Sequence, residues 1–148
     1  MLCSEIMKTD VECVSPDTSL STAARKMRDQ NIGFLPVCDD SMRPIGTITD
    51  RDIAIRAVAG DLPVSSSVES CMTREVISCG PQDDVQRARE LMEEHQKSRI
   101  MCTDGDGRVQ GVISLSDIAE LDENLAAHAL KQVSQREARG DSRHRPAL

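Results

Sequence analysis

The sequence has almost no aromatic side chains: Phe34 is its single Phe, and Trp and Tyr are absent. That excludes a nucleobase gripped between stacked rings and requires an interior of Val, Ile, Leu, Met and Ala. Net positive charge is lacking as well. A formal charge of −7 argues against a nucleic-acid surface, which needs a basic face to release counterions, and does not exclude one small anionic ligand. The basic residues that do cluster, Lys131, Arg136, Arg139, Arg143 and Arg145, lie toward the C-terminal end. Apolar runs fall far short of the ~20 residues that span a bilayer, so no membrane role is expected. The opening Met-Leu-Cys-Ser-Glu-Ile lacks a basic stretch followed by an apolar one. None of the six cysteines, Cys3, Cys13, Cys38, Cys71, Cys79 and Cys102, falls in a C-x-x-C pair. Reduced thiols and a cytoplasmic location are the expectation.

What is present is an internal repeat. Sliding the 148-residue sequence by 65 residues aligns Met7–Ala54 with Met72–Ala119 without a gap, and 12 of the 48 positions are identical. Composition alone would give about three. The matches include Met7/Met72, Pro16/Pro81, Gly46/Gly111 and the runs Asp52-Ile-Ala54 and Asp117-Ile-Ala119, so the repeat preserves turn and helix punctuation as well as apolar content.

Each copy reads as strand, helix, strand, strand, helix, an α/β (α+β) arrangement. In the first, Val11-Glu-Cys-Val14 alternates as a strand and stops at Pro16. Asp17 offers an N-cap to a helix with Leu20, Ala23, Ala24 and Met27 on one face. Phe34–Cys38 and Ile45–Thr49 follow as strands around a turn at Asp39–Arg43, and a second helix is expected from Asp50 to about Ala59. In the second copy the turn is Asp104-Gly-Asp-Gly107, a hairpin connection. The expected organisation is repeat 1 over 1–60, a Gly/Pro/Ser linker over 61–67, repeat 2 over 68–122, a C-terminal helix over 123–138 with Leu121, Leu125, Ala129 and Val133 four apart, and a disordered tail over 139–148.

The repeated signature is Gly46-Thr-Ile-Thr49-Asp-Arg-Asp52 and Gly111-Val-Ile-Ser114-Leu-Ser-Asp117, a strand running into a helix. A hydroxyl with an acid three residues on is a capping box, in which the acid stabilises its own helix. Two in register also suggest paired nucleotide sites. The helix amides can meet a phosphate, and an ionised Asp, acceptor-only, can take two hydrogen bonds from a ribose diol.

With these patterns, and with Met7-Lys-Thr, Met72-Thr-Arg and the Ile48–Ile53 stretch, the sequence resembles the cystathionine-β-synthase (CBS) pair or Bateman-module family over residues 5 to about 120. Met92-Glu-Glu-His-Gln96 is similar to stand-alone bacterial members of the hypoxic-response type. The resemblance implies two repeats packed with pseudo-two-fold symmetry, clefts that hold an adenine nucleotide (AMP, ADP or ATP), S-adenosylmethionine or NAD, and a homodimer that signals to an effector protein. It also implies a first cleft using Asp52 on the ribose, Thr49 on ribose or phosphate, and Arg51, Ser98 and Arg99 at the phosphate, Arg99 being a forked donor. A second cleft would use Asp117, Ser114 and Ser116. Its cross-repeat partners, Gly33 and Phe34, bring no positive charge, so a less anionic ligand is expected there. Met101 stands where the first repeat has Pro36, a departure from the pattern. The base would lie near Val14 and Val76 to Ile77.

No catalytic constellation is apparent. His95 and His128 fall on expected helices and His144 in the tail, none beside a Ser or Cys with a recognisable context. Asp104–Gly107 lacks the further ligands of a calcium loop. The chain is therefore read as a non-enzyme that requires no cofactor and has no dedicated metal site. Two alternatives remain. One is a cysteine-based redox or zinc sensor in which Cys3, Cys71 or another exposed thiol reacts; the other is a ligand-free dimeric scaffold.

Overall fold

The structure, a computed structural model, describes residues 1–121 and 123–139. Along the chain run α1 (Cys3–Ile6), α2 (Leu20–Gln30), β1 (Phe34–Cys38), β2 (Pro44–Thr49), α3 (Asp50–Asp52), β3 (Ser78–Cys79), α4 (Val85–His95), β4 (Arg99–Thr103), β5 (Val109–Ser114), α5 (Leu115–Ala119) and α6 (Glu123–Arg139). The chain forms two compact units. One is Val11–Val76; the other combines Met1–Asp10 with the chain from Ile77 onward. Residues 1–10 thus join the unit of the second repeat, and residues 61–76 the unit of the first.

In the Val11–Val76 unit, β1 pairs antiparallel with β2, from Phe34 opposite Thr49 to Cys38 opposite Pro44. The expected strand over 11–14 contracts to one parallel bridge, Val14 to Val37. Only Val14 has both backbone groups in the ladder, donating to the Pro36 carbonyl and accepting from the Cys38 amide at 2.9 Å each. The helix begins later than expected. Its N-cap is Ser19, whose side chain accepts from the Thr22 amide, while Asp17 is taken up by the Ser15 hydroxyl. Helix α2 buries Leu20, Ala23 and Met27 against Leu35, Val37 and Ile48 and ends on Asn31 in the left-handed conformation, which a short amide side chain tolerates. After α3 the backbone widens into a π-helical stretch, Ile53–Val58.

The second unit repeats the plan: β3 parallel to β4, β4 antiparallel to β5 with Arg99 opposite Ser114. Helix α4, capped by Asp84, buries Val85, Ala88, Leu91 and Met92 over Ile100, Ile113 and Ile118. Helix α6 adds the buried Ala129 and Val133. Leu121 precedes it and is exposed. The stretch 140–148, where most of the expected tail falls, and Leu125's side chain lie outside the described residues. Among those described, no helix is long and apolar enough to cross a membrane.

The second core holds three thiols where the first holds valines. Cys3, Cys79 and Cys102 are buried together in the second unit; at the same repeat positions, 65 residues away, the first has Val68, Val14 and Val37, also buried. Cys3 and Cys71, expected as exposed reactive thiols, are 0% and 2% exposed, because their elements lay those side chains inward on the cores.

Candidate functional site

Each unit carries the same strand-to-helix junction. At the end of β2, Thr49 Oγ1 accepts from the Asp52 amide at 3.0 Å and Asp52 Oδ2 accepts from the Thr49 amide at 3.1 Å. At the end of β5, Ser114 Oγ accepts from the Asp117 amide at 3.1 Å and Asp117 Oδ2 accepts from the Ser114 amide at 2.8 Å. The capping box is therefore realised twice. Among the described residues, Asp52 and Asp117 are also the buried charged side chains.

The capping box uses one oxygen of each carboxylate and leaves Oδ1 to other partners. Asp52 Oδ1 accepts from the Thr73 hydroxyl at 3.2 Å and lies 3.8 Å from Arg56 Nε. Asp117 Oδ1 lies 3.7 Å from Lys8 Nζ. Thr73 and Lys8 are 65 residues apart, and each arrives on the segment that completes its unit. Thr73 exchanges backbone hydrogen bonds with Thr47 at 2.8 and 2.9 Å, and Lys8 does so with Val112 at 2.9 and 3.0 Å. The signature glycines make room for these segments. A Cβ on Gly46 would lie 2.5 Å from the Thr73 carbonyl oxygen, and one on Gly111 would lie 2.8 Å from that of Lys8.

Thr73, Lys8 and Arg56 were not among the residues expected from sequence. The signal that points to the first two is the Met7/Met72 identity immediately before them; nothing local points to Arg56. Lys8 also corrects the expected charge of the second site, since a cation does stand beside Asp117. It comes from the unit's own crossing segment, not from the Gly33–Phe34 position.

Most of the backbone amides expected to meet a phosphate are already engaged. The Arg51 amide donates to Asp50 Oδ1 at 2.8 Å, the Asp52 and Asp117 amides donate to their capping hydroxyls, and α3 and α5 are too short to sum a large macrodipole. Charge for an anion must come from side chains. Arg51 is exposed and lines an open depression of about 410 Å³ with Asp50, Ala54 and Ile55. Ser98 and Arg99, also exposed, enter β4 beside Ser114; the Ser98 carbonyl accepts from the Leu115 amide at 2.8 Å, and the Ser114 and Ser116 hydroxyls lie 2.8 Å apart. The structure thus groups Thr49, Arg51 and Asp52 in one unit and Ser98, Arg99, Ser114, Ser116 and Asp117 in the other. Of the residues expected at the base, Val14 is buried in the first core, Ile77 packs on the second and Val76 is exposed.

Comparison with known proteins places this geometry. The CBS-domain family model matches residues 3–58 and 67–124. Hypoxic response protein 1 of Mycobacterium tuberculosis is 34% identical over 129 residues, covering 86% of this chain and 87% of that protein. A solved Hypoxic Response Protein I with two coordinated zinc ions superposes with a TM-score of 0.73 at 31% identity, over 82% of this chain and 99% of that one. The CBS pair of protein MJ0100, solved with 5′-methylthioadenosine and S-adenosyl-L-methionine, gives a TM-score of 0.74 at 28% identity, over 82% and 94%. The chain belongs to the CBS-domain family and carries two copies of that domain.

Proposed function

We propose that this CBS pair is a non-catalytic regulatory module that binds an adenine nucleotide, AMP, ADP or ATP, with the ribose held by Asp52 and, in a second site, by Asp117. The observation that carries this reading is the pair of buried carboxylates, each with one oxygen committed to its helix and the other turned to a partner that a ligand can replace. A ribose hydroxyl reaching Asp52 Oδ1 would take over from the Thr73 hydroxyl. Such an exchange leaves no buried oxygen unsatisfied and so costs little. The MJ0100 relative supports the ligand class, because both compounds solved with it contain a ribosyl adenine.

Thr49 and Arg51 would assist Asp52; in the other unit Ser98 and Arg99 would offer a phosphate a hydroxyl and a forked guanidinium. Ser114 and Ser116 would serve the Asp117 site beside Lys8, with Val14, Val76 and Ile77 flanking the bases. Output would pass through a homodimer to an effector protein, and the ligand could shift that equilibrium only by its differential affinity for the two states. A thermal-shift panel tests the reading. At 100 times its Kd a nucleotide should add about 2.7 kcal/mol and raise the midpoint by roughly 5–10 °C. Arg99→Ala should reduce the response to AMP and ADP while sparing adenosine; an unchanged AMP response in that variant would remove Arg99 from the site.

A further inference from the structure

In the first unit, Val14, Val37 and Val68 are buried in one apolar core. In the second, the same repeat positions hold Cys79, Cys102 and Cys3. Packing at this place is satisfied by valine, so it does not by itself call for three thiols. They come from three separate elements, β3, β4 and α1, yet their sulfurs converge. Cys79 Sγ lies 3.7 Å from Cys3 Sγ and 3.4 Å from Cys102 Sγ, all three lie within 4.8 Å of one another, and all three residues are buried.

Three sulfurs bound at about 2.3 Å to a central metal would stand about 4 Å apart, against 3.4 and 3.7 Å for the two separations from Cys79 and less than 4.8 Å for the third. Among the described residues no His, Asp or Glu completes the group. Its other polar neighbours are the carbonyl oxygens of Asp84, 3.7 Å from Cys3 Sγ, and of Met101, 3.8 Å from Cys79 Sγ. Zinc takes four ligands in a closed site, and the fourth is lacking. A buried, sulfur-only, three-fold set suits a soft monovalent cation, which thiolates select over harder divalent ions.

We propose that Cys3, Cys79 and Cys102 form a three-thiolate site for Cu(I), tying α1 to the β3–β4 sheet. Copper stays monovalent throughout, and each sulfur that binds it releases its proton to solvent. Because every sulfur must give up a proton to bind, copper retention should weaken as pH falls.

The test uses the full chain, reduced and anaerobic, titrated with Cu(I) supplied as its acetonitrile complex in competition with bathocuproine disulfonate. One copper per chain should be retained, with thiolate-to-copper charge-transfer absorption and three sulfur neighbours by X-ray absorption. The triple variant Cys3→Val, Cys79→Val, Cys102→Val copies the first repeat's own residues and should fold and lose the copper, whereas Cys13→Ser with Cys38→Ser should keep it. Cys102→Val alone should reduce the sulfur count to two. Copper held equally well by the triple variant, no copper held against the chelator, or an unchanged sulfur count in Cys102→Val would overturn the assignment.

Discussion

Asp52 and Asp117 each do two jobs with two oxygens. Oδ2 closes the capping box, and Oδ1 faces a hydroxyl or a cation delivered from elsewhere in the same unit. At Asp117 that division explains why an acid is needed, since an amide in its place would present a donor either to the Ser114 amide or to the Lys8 ammonium, both donors only. The thiols give a second prediction at this scale. Burial raises Cys3 to about 12 from an ordinary 9.0, and the Cys71 thiol is also raised by burial and by Asp52. Cys38 and Cys79 are held up by their hydrogen-bonded cysteine partners and by burial, while Cys13 is lowered by its hydrogen bond with Cys38. A thiol raised in the folded state keeps its proton after the unfolded chain has lost its own, so the folded form binds more protons above pH 9. The stability tied to Cys3 should therefore be fully present below about pH 9 and fall as pH climbs toward 12, by up to about 1.4 kcal/mol per pH unit, with the other raised thiols acting in the same direction and the lowered Cys13 against them. Urea midpoints of the reduced protein at pH 8, 9 and 10 measure this. The Cys3, Cys79, Cys102 triple valine variant should show a shallower fall, and a flat profile in the parent would contradict the account.

At the scale of elements, the two repeats serve as controls for each other. The β1–β2 and β4–β5 hairpins share a bulge at the same step and a left-handed turn residue, which is Gly107 at φ 81° in one and Met42 at φ 65° in the other. A side chain in that region costs about 1–2 kcal/mol, part of which glycine returns as unfolded-state entropy. Met42 is 47% exposed and outside both cores, so Met42→Gly loses little packing. It should raise stability by roughly 0.5–1 kcal/mol, read as a higher thermal midpoint; a lower midpoint would contradict the strain argument. Helices α2, α4 and α6, β1, β2 and the two signature junctions were legible because their spacing of apolar, hydroxyl and acidic residues is local, whereas α1 was not expected from the sequence. The 11–14 strand was over-read, since Val-Glu-Cys-Val alternates but only Val14 finds a ladder partner. Ser19 replaced Asp17 as the cap because the turn over 15–18 engages Asp17 first. The π-helical register of Ile53–Val58 leaves no mark on periodicity. The positions of Thr73 and Lys8 were hidden because they meet residues 21 and 109 positions away, a placement that only the crossing segments create.

Across the whole molecule, a duplicated domain has kept one chemistry and varied what surrounds it. Both copies preserve the capped aspartate and the glycine that admits the crossing segment. The surroundings differ in Thr73 and Arg56 against Lys8, and in three valines against three cysteines. The preserved part is the candidate for shared ligand chemistry, and the varied parts make the two sites unequal. The central claim is that the preserved aspartates hold the ribose of an adenine nucleotide. Isothermal titration of AMP into the intact chain tests it most directly, with Asp52→Ala and the Asp52→Ala, Asp117→Ala pair beside it. The account predicts saturable heat in the parent, a reduced stoichiometry or affinity in the single variant and none in the pair. Binding by the pair equal to that of the parent, or no heat from AMP at millimolar concentration, would contradict it.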